Sequence, residues 1–381
     1  MFFYFCIKKY KLEKIKPYKF IEVAYMKKIV NNKEISFFLV LLFCIYLFTF
    51  IEGCSPGFKD FTNKKINVGV LSQDFKDKSF GQLAKRGAEE AKEKIGIVPK
   101  YMEVKDDKKN TDNITKALRK LAETSKITIA MGREMKESIE KVSRERRDKN
   151  FAIFDTEVNE ANVKSITFHH EEGSFLMGVI AGNETKTNKV GFVGGINDKI
   201  GLEFYNGYCA GVKTVNEKAS ESIIEGTYVR FTQSFLDENK AYEKAIELYD
   251  EGCDIIFQTC GKAGMGVFKA AKERGKFVIG VDTDQRVEIP QYKDQIISSM
   301  IKKVDKAVLD TCKEVKEGSF KSGIENMEVL GVKDNIIDYA PSTESTVSKK
   351  TMEDLKKYKE KIAIKAIKVP TKKFEVIEFK G

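Results

Sequence analysis

Residues 66–95 read INVGVLSQDFKDKSFGQLAKRGAEEAKEKI, and the change of period inside this stretch decides the fold. INVGVLS at 66–72 is apolar and β-branched, the composition of a strand buried on both faces. From 80 to 95, Leu83, Ala84, Gly87, Ala88, Ala91 and Ile95 recur at helical spacing and share one face. A buried strand followed by an amphipathic helix is the first half of a βαβ unit. Strand runs at 98–104, 127–131 and 151–155 then alternate with helical segments at 112–124 and 134–147. That alternation implies a parallel sheet with helices on both faces.

The pattern starts again further on. A helix is expected at 171–185, a glycine-ended strand KVGFVGG at 189–195 and a helix at 201–216. Strands at 222–229, 253–258 and 276–281 follow, separated by helices at 237–250 and 263–273. Residues 295–300 read as a strand, 301–317 as a long helix, 329–339 as a further β segment and 347–366 as a charged helix. The prediction is two doubly wound α/β lobes with parallel sheets, at 66–165 and 166–295. Residues 296–381 are expected to cross back, complete the first lobe and end in a C-terminal helix. No Pro-, Gly- or Ser-rich linker divides the lobes, so the hinge is short. Ligands of such sheets bind at the carboxyl ends of the strands, here in the cleft between lobes.

The N-terminal region reads as an address. From Met26, Lys27, Lys28 and Lys33 precede an apolar run from Ile35 to Ile51, broken only by Ser36 and Thr49, and Gly53-Cys54 follows. This is the pattern of a secretory signal peptide with a lipoprotein cleavage site, and Met26 is the expected start. Residues 1–53 are the signal region and 54–65 a lipidated tether. Cys54 is the expected lipidation site, its acyl chains such as palmitate holding the protein to a membrane at about 0.8 kcal/mol per buried methylene. An uncleaved spanning helix stays open as the alternative, since the run is nearly long enough, and Glu52 departs from the usual small-residue pattern.

Composition excludes several classes. The 381 residues carry a net charge of +10, but residues after 53 hold 58 basic against 53 acidic side chains, an excess of five. So diffuse a charge, with no nucleic-acid-binding motif, argues against a nucleic-acid partner. Cys209, Cys253, Cys260 and Cys312 are scattered without metal-ligand spacing and read as buried free thiols. The only histidines, His169 and His170, are adjacent and on a strand would face opposite ways. Neither a phosphate loop nor a Gly-x-Ser-x-Gly elbow is present, so no cofactor and no enzyme activity are expected.

Two clusters stand where a sheet's carboxyl end meets the cleft. Asp74, Asp77, Lys78, Ser79 and Phe80 follow the first strand, and Asp282 and Asp284 follow strand 276–281. Carboxylates accept hydrogen bonds from sugar hydroxyls, and aromatics offer flat apolar faces. Each Asp alone fits a helix cap equally well. The glycine-rich turn Gly261–Gly266 opens a helix, and its N–H groups suit a polar ligand group.

A resemblance sharpens these candidates. DKSF at 77–80, EEGSFLMGVIAG at 171–182, KVGFVGGI at 189–196, GYCAGVK at 207–213, IIFQTCGKAGMGV at 255–267 and VIGVDTDQ at 278–285 stand in one order. With them, nearly all of 54–381 resembles the basic membrane protein family of spirochaetal lipoproteins, similar to purine nucleoside receptors that feed ABC transporters. The resemblance implies a type I periplasmic-binding-protein fold with a purine nucleoside between the lobes. It also implies an ABC transporter permease as partner, and lipid anchorage to a cell membrane on its periplasmic or outer side. It places Phe80 on one face of the base and Phe257 on the other, assigns the ribose hydroxyls to Asp282, and brings Gly261 and Lys302 to the same site. Two positions depart from the family pattern. Ser72, or Leu71 in a gapped alignment, replaces an Asp that bonds the base edge, and Gly81 replaces an Asn. Asp74 is the candidate substitute. Inosine, guanosine and adenosine are therefore expected to bind within about tenfold of one another. The competing reading is a surface interaction lipoprotein on the same fold, binding host extracellular-matrix proteins.

Overall fold

The computed structural model of the chain describes residues 65–104 and 111–381. The signal region, Cys54 and the tether up to residue 64 lie outside the described residues. Residues 64–381 form one compact unit with its own hydrophobic cores.

In chain order the first lobe runs β1 (Asn67–Ser72), α1 (Phe80–Ile95), β2 (Val98–Glu103), α2 (Thr111–Thr124), β3 (Ile127–Met131), α3 (Lys136–Glu145), β4 (Asn150–Phe154) and β5 (Val163–Phe168). The second runs α4 (His170–Glu184), β6 (Val190–Gly194), α5 (Lys199–Val215), α6 (Glu217–Glu225), β7 (Val229–Phe231), α7 (Glu238–Asp250), β8 (Ile255–Thr259), α8 (Gly264–Arg274), β9 (Phe277–Asp282), α9 (Gln285–Glu288) and β10 (Ile296–Lys302). The remainder holds α10 (Val304–Glu317), β11 (Glu328–Leu330), β12 (Ile337–Tyr339), α11 (Lys349–Ala363) and α12 (Lys373–Glu378).

Each lobe is built on a six-stranded sheet, ordered β11-β5-β4-β3-β1-β2 in the first and β12-β10-β9-β8-β6-β7 in the second. Every pairing is parallel except β10 with β12. Winding reverses between β1 and β3 in one sheet and between β6 and β8 in the other. Those reversals are the crevices where such sheets admit ligands.

Three elements differ from the sequence expectation. The run 222–229 is the end of helix α6, a turn and only the first residue of β7: the Asn216 side chain accepts from the Ala219 N–H at the helix start, and Gly226 closes it at φ +98°. Strand β5 was not anticipated, and it carries the boundary placed at 165. Its Lys164 is buried but pairs with Glu314 and Glu328 at 2.7 Å each, so a charge sits where the apolar run should be. Residues 296–302 do not complete the first lobe. They pair with β9, whose backbone groups lie open beside them, and stay in the second sheet. The crossover instead lends the first lobe α10 and β11. Arg86 of α1 pairs with Asp305 of α10 at 2.8 Å. The chain then returns through β12.

The second lobe's centre is a close crossing of α4 and α5. A Cβ at Gly178 would lie 2.2 Å from the Tyr208 carbonyl oxygen, and one at Gly211 would lie 2.0 Å from that of Phe175. Only glycine lets the two backbones meet. This contact explains why α4, FLMGVIAG in its middle, is apolar all round. Cys209, Cys253, Cys260 and Cys312 are free and buried.

Candidate functional site

The carboxyl ends of β1, β3, β4, β6, β8, β9 and β10 converge on one cavity between the lobes. It holds about 810 Å³ of space, the mouth included, within the range of small-molecule sites. Of the residues singled out from the sequence, Ser72, Asp74, Asp77, Phe80, Gly261, Asp282 and Lys302 line it.

Asp282 ends β9 in the left-handed region at φ +68°, a conformation a non-glycine residue holds only against strain. The twist turns its carboxylate into the cleft. Ser79, from the first lobe, donates its hydroxyl to Asp282 Oδ2. Oδ1 is buried without a hydrogen-bond partner, with Lys302 Nζ 3.7 Å away. A buried acceptor left in this way costs about 1–3 kcal/mol. Lys302 is itself buried, bonds Asp155 Oδ2 at 2.8 Å, and lies 4.4 Å from the Phe80 ring centroid and 5.0 Å from that of Phe168. The second lobe thus presents a carboxylate and an ammonium beside the first lobe's half-buried Phe80.

The loop before α1 carries two more carboxylates. Asp77 accepts the N–H groups of Ser79, Gly81 and Gln82 at 2.8–2.9 Å, capping α1. Burial pushes its carboxyl up to about 6 despite those bonds. Asp74 is buried, accepts the Lys76 N–H at 2.8 Å, and meets Lys262 of the opposite lobe at 3.2 Å. Gly81 explains its own departure from the family pattern: a Cβ there would lie 1.9 Å from the Asp74 carbonyl oxygen. The loop packs onto the helix where an Asn would stand.

Phe257 is the exception. It is fully buried, with its ring among those of Phe192, Tyr208 and Phe204 at 5.8, 5.4 and 6.5 Å. It points to the α5 side of the sheet and offers no face to the cleft. The aromatics that do line the cavity from the second lobe are Phe204 and Phe235. Phe235 is half-buried, packs across Gly195, and has Arg133 5.2 Å from its ring centre. Its carbonyl accepts the Ala263 N–H at 2.9 Å, which joins this loop to the Gly261 turn. The available signal was a large aromatic in the polar turn TQSFLDEN just before a helix capped by Asp237. Asp284 also faces elsewhere: it accepts the Ser342 N–H and hydroxyl at 3.0 and 2.6 Å. His170 opens α4 rather than ending a strand, and among the described residues no group of acidic, His and Cys side chains could hold a metal ion.

The lobes are closed on this cavity. Besides Ser79–Asp282 and Lys262–Asp74, Arg133 bonds Asp198 at 2.7 Å, and the Lys78 carbonyl accepts from Thr283 Oγ1 and Gln285 Nε2 at 3.1 and 3.3 Å.

Two doubly wound lobes closed on an interlobe cavity are an architecture that solute-binding proteins use. A family model described as ABC transporter substrate-binding protein, PnrA-like, matches residues 65–373, and the chain belongs to that family of binding proteins, which are not enzymes. Relatives include the CD4+ T-cell-stimulating antigen of Listeria innocua, 32% identical over 84% of this chain and 91% of its own length. Basic membrane protein A1 of Borrelia garinii is 30% identical over 79% and 87%. The ABC transporter nucleoside-binding protein BmpA of Lactococcus lactis is 30% identical over 69% and 78%. Among solved structures, a solute-binding protein of an ABC transporter system from Aeropyrum pernix shares the fold, with a TM-score of 0.70, 24% identity and coverage of 82% of this chain and 96% of that one.

Proposed function

We propose that this protein captures a purine nucleoside between its lobes and delivers it to an ABC transporter permease, while held to a membrane by lipid on Cys54. The observation that carries the ligand reading is Asp282 Oδ1, a buried acceptor with no hydrogen-bond partner, on a residue that lines the interlobe cavity beside Phe80 and Lys302. A ribose hydroxyl supplies the donor it lacks, and a base fits between Phe80 and Phe235. Neither face asks for a particular base, since stacking tolerates any of them. The nucleoside-binding relative in Lactococcus supports the same ligand class. A body serving only as a surface adhesin has no use for a strained aspartate with one buried oxygen left without a hydrogen bond in the cleft, which favours capture over adhesion.

Calorimetry of the 64–381 body with inosine, guanosine and adenosine tests the reading. Saturable binding without release of free base is the expected result, and absence of binding to all three would reject it. The anchor is tested separately. Wild-type chain in a lipoprotein-processing host should incorporate labelled fatty acid, and Cys54→Ala should not. Equal labelling would rule out Cys54.

A further inference from the structure

Lys302 and Asp155, both lining the cavity, lead into a buried ionic chain that reaches His170 and Glu203 behind them. Asp155 follows β4 at φ +61°, the first-lobe counterpart of Asp282. Two second-lobe basic side chains meet it: Lys302 Nζ at Oδ2, 2.8 Å, and His170 Nε2 at Oδ1, 3.2 Å. The other ring nitrogen, His170 Nδ1, faces Glu203 Oε2 of α5 at 3.4 Å. His170 is only 1% exposed. The charged groups facing it are Asp155 from the end of β4, Glu203 from α5 and, at longer range, Lys302 from β10. Phe204 and Phe168 close the remaining sides, at 4.7 and 6.0 Å between ring centres. On its own helix, Glu171 is turned to His169 and Glu172 to the Val332 N–H.

A carboxylate only accepts hydrogen bonds, and a neutral imidazole has one donor and one acceptor nitrogen. With both nitrogens facing carboxylates, a neutral ring would set a lone pair against one of them. Only the imidazolium satisfies both. We propose that His170 is a proton-linked positioning residue: as imidazolium it ties Asp155 of the first lobe to the second, holding the cleft closed and Lys302 in place beside Asp282. Loss of that proton loosens the clamp, so closure and ligand retention weaken with rising pH.

Electrostatics agree in direction. Burial alone would lower the imidazole's affinity for its proton, but Asp155 and then Glu203 outweigh it and raise His170 above the usual histidine value. Burial likewise opposes ionisation of Asp155, yet Lys302 and His170 hold it well below the carboxylate range. A group whose folded pKa is raised contributes fully below its unfolded value, about 6.5, and loses that contribution as pH rises through the folded value. The window therefore lies on the alkaline side. Asp77, which lines the cavity and titrates near 6, is ionised throughout most of it.

The effect on affinity rests on the nucleoside reading, but the effect on closure does not. The chain has only two histidines, so His169→Gln assigns both imidazole signals in a proton NMR titration of the 64–381 body. His170 should titrate above about 6.5, and the radius of gyration by X-ray scattering should rise through the same midpoint. Affinity for adenosine, whose base does not titrate in this range, should fall at least about fivefold from near pH 6.5 to near pH 9, the low end of usual site coupling. His170→Gln should show flat profiles in both measurements. His170→Arg should stay closed and bind at both ends. A His170 midpoint at or below 6.5, or a wild-type radius that does not move across the window, overturns the proposal. If the radius and the imidazole behave as stated but none of the three nucleosides binds, the ligand reading fails and the clamp stands. If His170→Gln does not fold, the wild-type titration and His170→Arg decide alone.

Discussion

At the scale of single residues, Asp282 and the two phenylalanines make the sharpest claims. Asp282→Ala should weaken nucleoside binding by about 1.5–3 kcal/mol, the range for a hydrogen bond to a charged group, in a mutant that still folds; calorimetry with unchanged affinity would remove Asp282 from the site. Phe235 and Phe257 should separate affinity from stability. Phe235→Ala removes a stacking face and should cost about 1–3 kcal/mol of binding with little change in Tm. Phe257→Ala empties a core position among Phe192, Phe204 and Tyr208 and should cost about 3–5 kcal/mol of stability. The opposite outcome would mean that Phe257 is the ligand's face after all. The prediction for base discrimination rests on Asp74 and Lys262 meeting the base edge. One accepts and the other donates, so together they suit the N1–H and O6 edge of inosine or guanosine and the N6–H and N1 edge of adenosine equally. That supports affinities within about tenfold for the three, and a hundredfold preference in calorimetry would show that another group reads the base.

At the scale of elements, the sequence was legible wherever periodicity and caps agreed. INVGVLS and the helix after it fall within a residue of their observed limits because apolar spacing, Phe80 and Gly96 all mark the same boundaries. It was illegible where a charge is buried or a helix is apolar on the wrong scale. Lys164 inside β5 hid a strand, because its partners Glu314 and Glu328 lie about 150 residues away. The pair Ile223-Ile224 suggested a strand, although Asn216 and Gly226 already bracketed a helix. The candidate site shows the same division. A strand end identified Asp282 and the family resemblance Lys302, but which face of β8 carries Phe257 depends on register against β6, and a one-residue shift reverses it. The α4–α5 crossing is a test at this scale. Gly211→Ala must force its Cβ against the Phe175 carbonyl and should lower stability by about 1–3 kcal/mol. An unchanged Tm would mean that the helices part more easily than their contact suggests.

At the scale of the whole molecule, closure is distributed over contacts of unequal depth. Ser79–Asp282 and the Asp155 grip lie inside the cleft, while Arg133–Asp198 and Lys262–Asp74 sit nearer its mouth. Arg133 and Asp198 have side chains 20% and 33% exposed, so water screens their attraction. Lys262 is 37% exposed, but its partner Asp74 is only 4% exposed. Removing Lys262 therefore leaves a buried carboxylate with one cation fewer, whereas removing Arg133 leaves Asp198 in water and still capping α5 through the Gly201 N–H. A partly exposed pair whose attraction is screened on both sides contributes little, about 1 kcal/mol or less, so Arg133→Ala should speed nucleoside release by no more than about fivefold. Lys262→Ala should do so by more, because its cost includes desolvation of the partner. Both effects belong in the dissociation rate, since the open lobes that first meet a ligand have neither contact formed. Stopped-flow displacement of bound inosine measures this directly. If Arg133→Ala releases ligand faster than Lys262→Ala, the depth of the two pairs does not order the closing contacts, and the weight shifts to the Arg133 guanidinium on Phe235.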